Sequence, residues 1–191
     1  MEKKIKVLIL GPTGTGKTCI SNLLAEKMEP IPRSYNPTCG VRIQEFEKTV
    51  SHPRAPAGEC WLIQLWDLSG DPRYENCWTA CKHDTNGVII VHNGDIKIVE
   101  EDFLGWIKAF PHKMNIAPNY CLGFAHHPSG NMNHVDQKSF MKFGLHIYHT
   151  TVEDGGSTII PTFDKFIQTL VDKYYCDLEQ EEAQQLNEYG A

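Results

Sequence analysis

No apolar run in this 191-residue sequence approaches the roughly 18 residues that a membrane-spanning helix needs. The start, MEKK, has neither the apolar core of a secretory signal nor the second-position glycine of a myristoylation site, since Glu2 stands there, and the end, NEYGA, has no prenylation cysteine. No lipid anchor is therefore expected. The seven cysteines are odd in number and form no C-x-x-C pair, so a disulfide framework is not expected and a reducing, intracellular compartment is. Cys77 and Cys81, one helical turn apart, read as packing. Basic residues do not dominate: 18 Lys and Arg stand against 24 Asp and Glu, and the net charge of −6 argues against general nucleic-acid binding. Arginine is scarce and scattered, at Arg33, Arg42, Arg54 and Arg73. Residues 177–191 hold Asp177, Glu179, Glu181, Glu182 and Glu188 with no Lys or Arg, and read as an acidic, solvated, disordered tail behind a domain spanning 1–176. The histidines are scattered. His126 and His127, with His134 nearby, raise the thought of zinc, but no second ligand cluster accompanies them and they read as surface and loop residues.

A chain of this length and a hydrophobic fraction of 41% suit one domain with its own core. Residues 5–10, IKVLIL, form a buried strand. Residues 41–50 alternate apolar and polar, and 60–68, CWLIQLWDL, make the second arm of a hairpin across a Pro- and Gly-containing loop. GVIIV at 87–91 is a fully apolar run of the buried parallel type. Further strands are expected at 119–125 and 145–150, and helices at 19–28, 72–82, 100–110, 136–142 and 157–176. Strands alternating with helices predict an α/β fold with a six-stranded, mostly parallel sheet flanked by about five helices.

The stretch after the first strand is GPTGTGKT, so Gly11, Gly16, Lys17 and Thr18 fill the phosphate-loop pattern G-x-x-x-x-G-K-[ST] in the strand–turn–helix context it requires. Glycines let the backbone approach an anion closely, and their N–H groups with the following helix terminus cradle phosphate. Lys17 reaches outer phosphates, and the Thr18 hydroxyl can ligate Mg²⁺. Asp67 ends the strand at 60–68 and can hold the same metal through water, and Gly70 can offer its N–H to a terminal phosphate. Between them, Pro37-Thr38-x-Gly40 places a threonine in a loop able to close on the metal and release it.

In that order these motifs resemble a Ras-superfamily small GTPase over residues 4–176, closest to the Rab and Arf-like branches. The resemblance implies that Thr13, Gly14, Thr15, Gly16, Lys17, Thr18 and Cys19 bind the phosphates of GTP or GDP. It implies Thr18 and Thr38 on Mg²⁺, Asp67 and Gly70 in the second switch, and Tyr35 covering the nucleotide. The departures carry consequences. Asp71 stands where the catalytic glutamine would follow Gly70, and Thr13 replaces a glycine, so slow hydrolysis is expected. The guanine motif Asn-Lys-x-Asp is replaced around Phe124-Ala125-His126-His127, leaving His149-Thr150-Thr151-Val152 as a remnant in which the N–H of Val152 faces guanine O6. Ile31 takes the place of an aromatic on the base. With no guanine motif, glutamine or lipid-accepting cysteine, the chain most resembles the Rab-like 5 family of intraflagellar transport B subunits. That resemblance implies coiled-coil subunits of the transport complex as partners, and a place in the cytoplasm and at the cilium or flagellum and its base. Two other functions fit parts of the pattern: a P-loop small-molecule kinase, which would leave Thr38 and Asp67 unexplained, and a nucleotide-free structural pseudo-GTPase, which would not need the whole set.

Overall fold

The computed structural model describes residues 3–27, 36–96, 100–130 and 145–189. Six strands form one sheet: β1 (Lys4–Leu10), β2 (Val41–Thr49), β3 (Cys60–Leu68), β4 (Gly87–Asn93), β5 (Cys121–His126) and β6 (Ile147–Thr150). Their spatial order is β2-β3-β1-β4-β5-β6, and among the described residues only β2 and β3 pair antiparallel. The carboxyl ends of β1, β3, β4, β5 and β6 therefore share one edge, where ligands of open α/β sheets bind. β1 and β4 are buried on both faces, as their unbroken apolar sequences require.

Helix α1 (Lys17–Leu24) turns Ile20, Leu23 and Leu24 toward the sheet, where α4 (Ile159–Tyr189) adds Phe163, Ile167, Leu170 and Val171. On the other face α2 (Glu75–Cys81) and α3 (Glu100–Ile107) close a second core around Leu8, Leu10, Ile90, Phe103 and Phe110. These are the four α-helices of the described residues. The helix expected at 136–142 lies outside them, as do Ile31, Tyr35 and His134.

Three boundaries differ from expectation. The segment expected as one helix from Pro72 starts as a 3₁₀ turn, Pro72–Tyr74, before α2. Helix α3 passes into a π-turn, Lys108–His112, because Pro111 offers no N–H to an α-helical ladder. The acidic segment expected as a disordered end is instead helical through Tyr189, continuous with α4. Helix formers fill it (Leu178, Glu179, Gln180, Glu181, Glu182, Ala183). Arg54, in the β2–β3 loop, reaches Glu179 at 3.0 Å and Glu182 at 2.9 Å.

Candidate functional site

The glycines of the loop after β1 are placed for separate physical reasons. A Cβ on Gly11 would lie 1.9 Å from the carbonyl oxygen of Val91 on β4, so only glycine lets β1 leave the sheet there. Gly16 has a φ of 88° and precedes α1 without a side-chain cap. The first N–H groups of α1 are consequently left for an anion. Lys17 is 6% exposed, and its Nζ donates to the carbonyls of Gly11 at 2.9 Å and Pro12 at 2.7 Å. Burial lowers its pKa to about 8, against the opposing pull of Asp67. Thr15 Oγ1 donates to the Pro12 carbonyl at 3.0 Å, which tightens the loop. Thr13, Gly14 and Cys19 lie exposed on the loop and its helix.

Thr18, Thr38 and Asp67 come from three separate segments and meet. Thr18 Oγ1 donates to Asp67 Oδ2 at 2.5 Å and lies 3.0 Å from Thr38 Oγ1, and Thr38 Oγ1 donates to the same Asp67 oxygen at 3.3 Å. Asp67 is fully buried. Burial pushes its carboxyl pKa up, while Thr18, Lys17, Thr38 and Arg42 pull the other way. Its second oxygen, Oδ1, is buried without a hydrogen-bond partner among the described residues. A carboxylate oxygen in that position is costly on its own. Two hydroxyls and a carboxylate converging without nitrogen or sulfur are a donor set that fits a hard divalent cation such as Mg²⁺.

The segment after β3 lies against the phosphate loop. A Cβ on Gly70 would lie 2.4 Å from the Gly11 carbonyl oxygen and the Thr13 nitrogen. Asp71 does not extend a bare carboxylate. It caps the 3₁₀ turn by accepting from the Arg73 N–H at 2.9 Å, and Arg73 Nη2 pairs with Oδ2 at 2.6 Å. The Arg73 guanidinium and backbone hold the Asp71 carboxyl below its ordinary pKa. Trp78 Nε1 donates to the Ser69 carbonyl at 3.1 Å and ties α2 to this segment.

Farther along the same edge the histidine doublet departs from the sequence reading. His126 and His127 are 2% and 1% exposed, at the end of β5 rather than on the surface. His126 packs on the phosphate loop, where a Cβ on Gly16 would meet its Cδ2 at 2.2 Å. His127 Nδ1 lies 2.9 Å from Asp95 Oδ1, and its Nε2 lies 3.0 Å from His149 Nδ1. His92, on β4, completes the group, and burial lowers its pKa to about 4. The HH doublet after a strand was the available signal, but its partners Asp95 and His149 lie on other strands' loops and ends, beyond any local pattern. Thr151 is buried and accepts the Glu153 N–H at 3.2 Å, and Val152 is half-buried beside it.

Residues 6–123 match the family model described as "Ras of Complex, Roc, domain of DAPkinase". The chain is 33% identical over 166 residues to the intraflagellar transport protein 22 homolog of Danio rerio, covering 86% of this chain and 88% of that protein. It is 33% identical to the Bos taurus homolog and 31% identical to the Homo sapiens homolog, covering 94% of this chain and 96% of each. The T. brucei IFT22/74/81 GTP-bound crystal structure contains a chain of the same fold. Its TM-score is 0.68 at 22% identity, over 92% of this chain and 99% of that one.

Proposed function

Because the chain belongs to the Roc and Ras-like GTPase family and, within it, to the intraflagellar transport protein 22 family, we propose that it is a GTP- and GDP-binding subunit of the intraflagellar transport B complex. Its intrinsic hydrolysis is slow. The observation that supports nucleotide binding most directly is the convergence of Thr18, Thr38 and Asp67 beside Lys17 and the uncapped start of α1. Residues 13–19, with Gly70, would surround the phosphates, and Thr18, Thr38 and Asp67 would hold Mg²⁺. The metal would neutralise charge between the outer phosphates. Thr38 comes from a segment of its own, so it would close when a terminal phosphate is present and leave when it is not. Tyr35 is assigned to cover the nucleotide, and Thr151 and Val152 to the base. Asp71 in place of a water-orienting glutamine supports slow turnover.

The partners under this reading are coiled-coil subunits of the transport complex, as the IFT22/74/81 assembly suggests, and the place of action is the cilium or flagellum and its base. Denaturing the purified protein and running the supernatant on ion-exchange chromatography tests the nucleotide. GTP or GDP is the expected result, and intact GTP also supports slow hydrolysis. ATP or ADP would overturn the base assignment in favour of a kinase. An empty site that takes up no added nucleotide would leave a structural pseudo-GTPase.

A further inference from the structure

If the nucleotide is guanine-based, as the preceding reading has it, the chain needs a group for the N1–H and N2–H₂ donors of the base. Those donors distinguish guanine from adenine, which presents an acceptor and a C–H at the corresponding places. A carboxylate accepts both and meets the N1 lone pair of adenine with its own, so this choice of group confers selection. Because β5 runs to His126, the residues following it are His127-Pro128-Ser129-Gly130, and none is acidic.

Among the described residues, Asp95 and Glu153 bring carboxylates to the loop after β5 from elsewhere. Asp95 is committed to holding the loop. Its Oδ1 pairs with His127 at 2.9 Å and its Oδ2 accepts the Ser129 N–H at 2.9 Å. Glu153 is different. It follows Val152, whose N–H is assigned to O6, the oxygen on the ring carbon next to N1. Its N–H is anchored to Thr151 Oγ1. The side chain crosses from the loop after β6 to the loop after β5, where its carboxylate lies on Gly130. A Cβ built on Gly130 would sit 2.2 Å from Glu153 Oε2 and 2.9 Å from Cδ. Gly130 also has a φ of 69°, so both its backbone and its missing side chain leave this place to the carboxylate. The two loops are joined behind it, with the His127 N–H donating to the Thr150 carbonyl at 2.8 Å.

We propose that Glu153 is the specificity-determining carboxylate of this chain, supplied from the loop after β6 in place of the missing aspartate after β5. Calorimetry on the purified full-length chain, with GDP, IDP, XDP and ADP as probes, tests it. IDP lacks the 2-amino group and XDP carries an oxygen there. The native chain is expected to prefer GDP over the other three. Glu153→Gln is expected to weaken GDP by about 10- to 100-fold, the worth of a charge-assisted hydrogen bond. The same variant should strengthen XDP, whose 2-oxygen can accept from the new amide. Asp95→Asn should weaken all four together and lower the melting temperature. An unchanged GDP-to-XDP ratio in Glu153→Gln would overturn the assignment, as would inversion of that ratio in Asp95→Asn instead. Equal affinity of the native chain for GDP and ADP is a separate failure: it overturns the guanine reading itself, and Glu153's role with it.

Discussion

Lys17 and Asp67 are a buried cation and a buried anion that the protein holds without full compensation. Burial lowers the lysine's pKa to about 8 and raises that of the aspartate, and one Asp67 oxygen has no donor among the described residues. Charges kept this way cost stability in the empty protein, and under the proposed function they would become favourable with phosphate and metal in place. Lys17→Met is accordingly expected to reduce nucleotide affinity by about 100-fold or more, taking two charge-assisted contacts to phosphate as the loss. The melting temperature of the nucleotide-free protein should scarcely fall. Thermal melts with and without GDP check both halves, and a variant that keeps its GDP-induced shift would remove Lys17 from the phosphate site. Asp71 poses a different question, because its carboxylate is engaged by Arg73. Asp71→Gln is expected to raise single-turnover GTP hydrolysis several-fold by restoring a water-orienting amide. Arg73→Ala, which only frees the carboxylate, should not. If Asp71→Gln binds GTP normally and hydrolyses it at the native rate, the block lies at Thr13.

The elements show which signals a sequence carries and which it conceals. The phosphate loop was legible because strand, glycines, lysine and threonine are contiguous, and each has a local reason to be there. The convergence of Thr18, Thr38 and Asp67 was legible only because the motifs come in a known order. The histidine group was not legible: Asp95, His127 and His149 come from three separate loops or strand ends, and no spacing announces that they meet. The extension of α4 was misread for another reason. A charged, unbalanced run suggests disorder, yet Glu, Gln, Ala and Leu are good helix formers, and the run grows from a helix already fixed by the core. Near the junction the helix is held by Tyr175, whose hydroxyl lies 2.7 Å from Glu59 Oε2 and whose ring stacks on His52 at 4.1 Å. Beyond it, Arg54 is the attachment. These outer pairs are exposed and screened, so they set local rather than global stability. Arg54→Ala should accelerate amide exchange across 179–186 and leave 163–175 unchanged. Equal acceleration in both, read by mass spectrometry, would show that the helix opens as one unit.

For the molecule as a whole, the histidine group links folding to pH. His92 lies at the end of β4, edge-on to Phe103 at 5.8 Å, and after burial the electrostatic influence of His149 and His127 further opposes its protonation. Its folded pKa is about 4, against 6.5 when unfolded. Between those values the unfolded chain binds the proton and the folded chain does not. Stability is therefore complete above about pH 6.5 and is lost as pH falls toward 4, by on the order of 3 kcal/mol for the whole shift. His126 and His149, also lowered by burial, add in the same direction. Asp67 opposes them, since a carboxyl with a raised pKa takes up its proton more readily when folded and gains stability in acid. The two contributions separate by substitution. His92→Gln should shrink the difference between urea midpoints at pH 7 and pH 5, whereas His146→Gln, at an exposed position, should leave it as in the native chain. Asp67→Asn should enlarge the acid loss, because it removes the opposing group. If His92→Gln leaves the pH 7 to pH 5 difference intact while the protein still folds, the acid sensitivity belongs to His126 and His149, whose pKa values burial lowers as well.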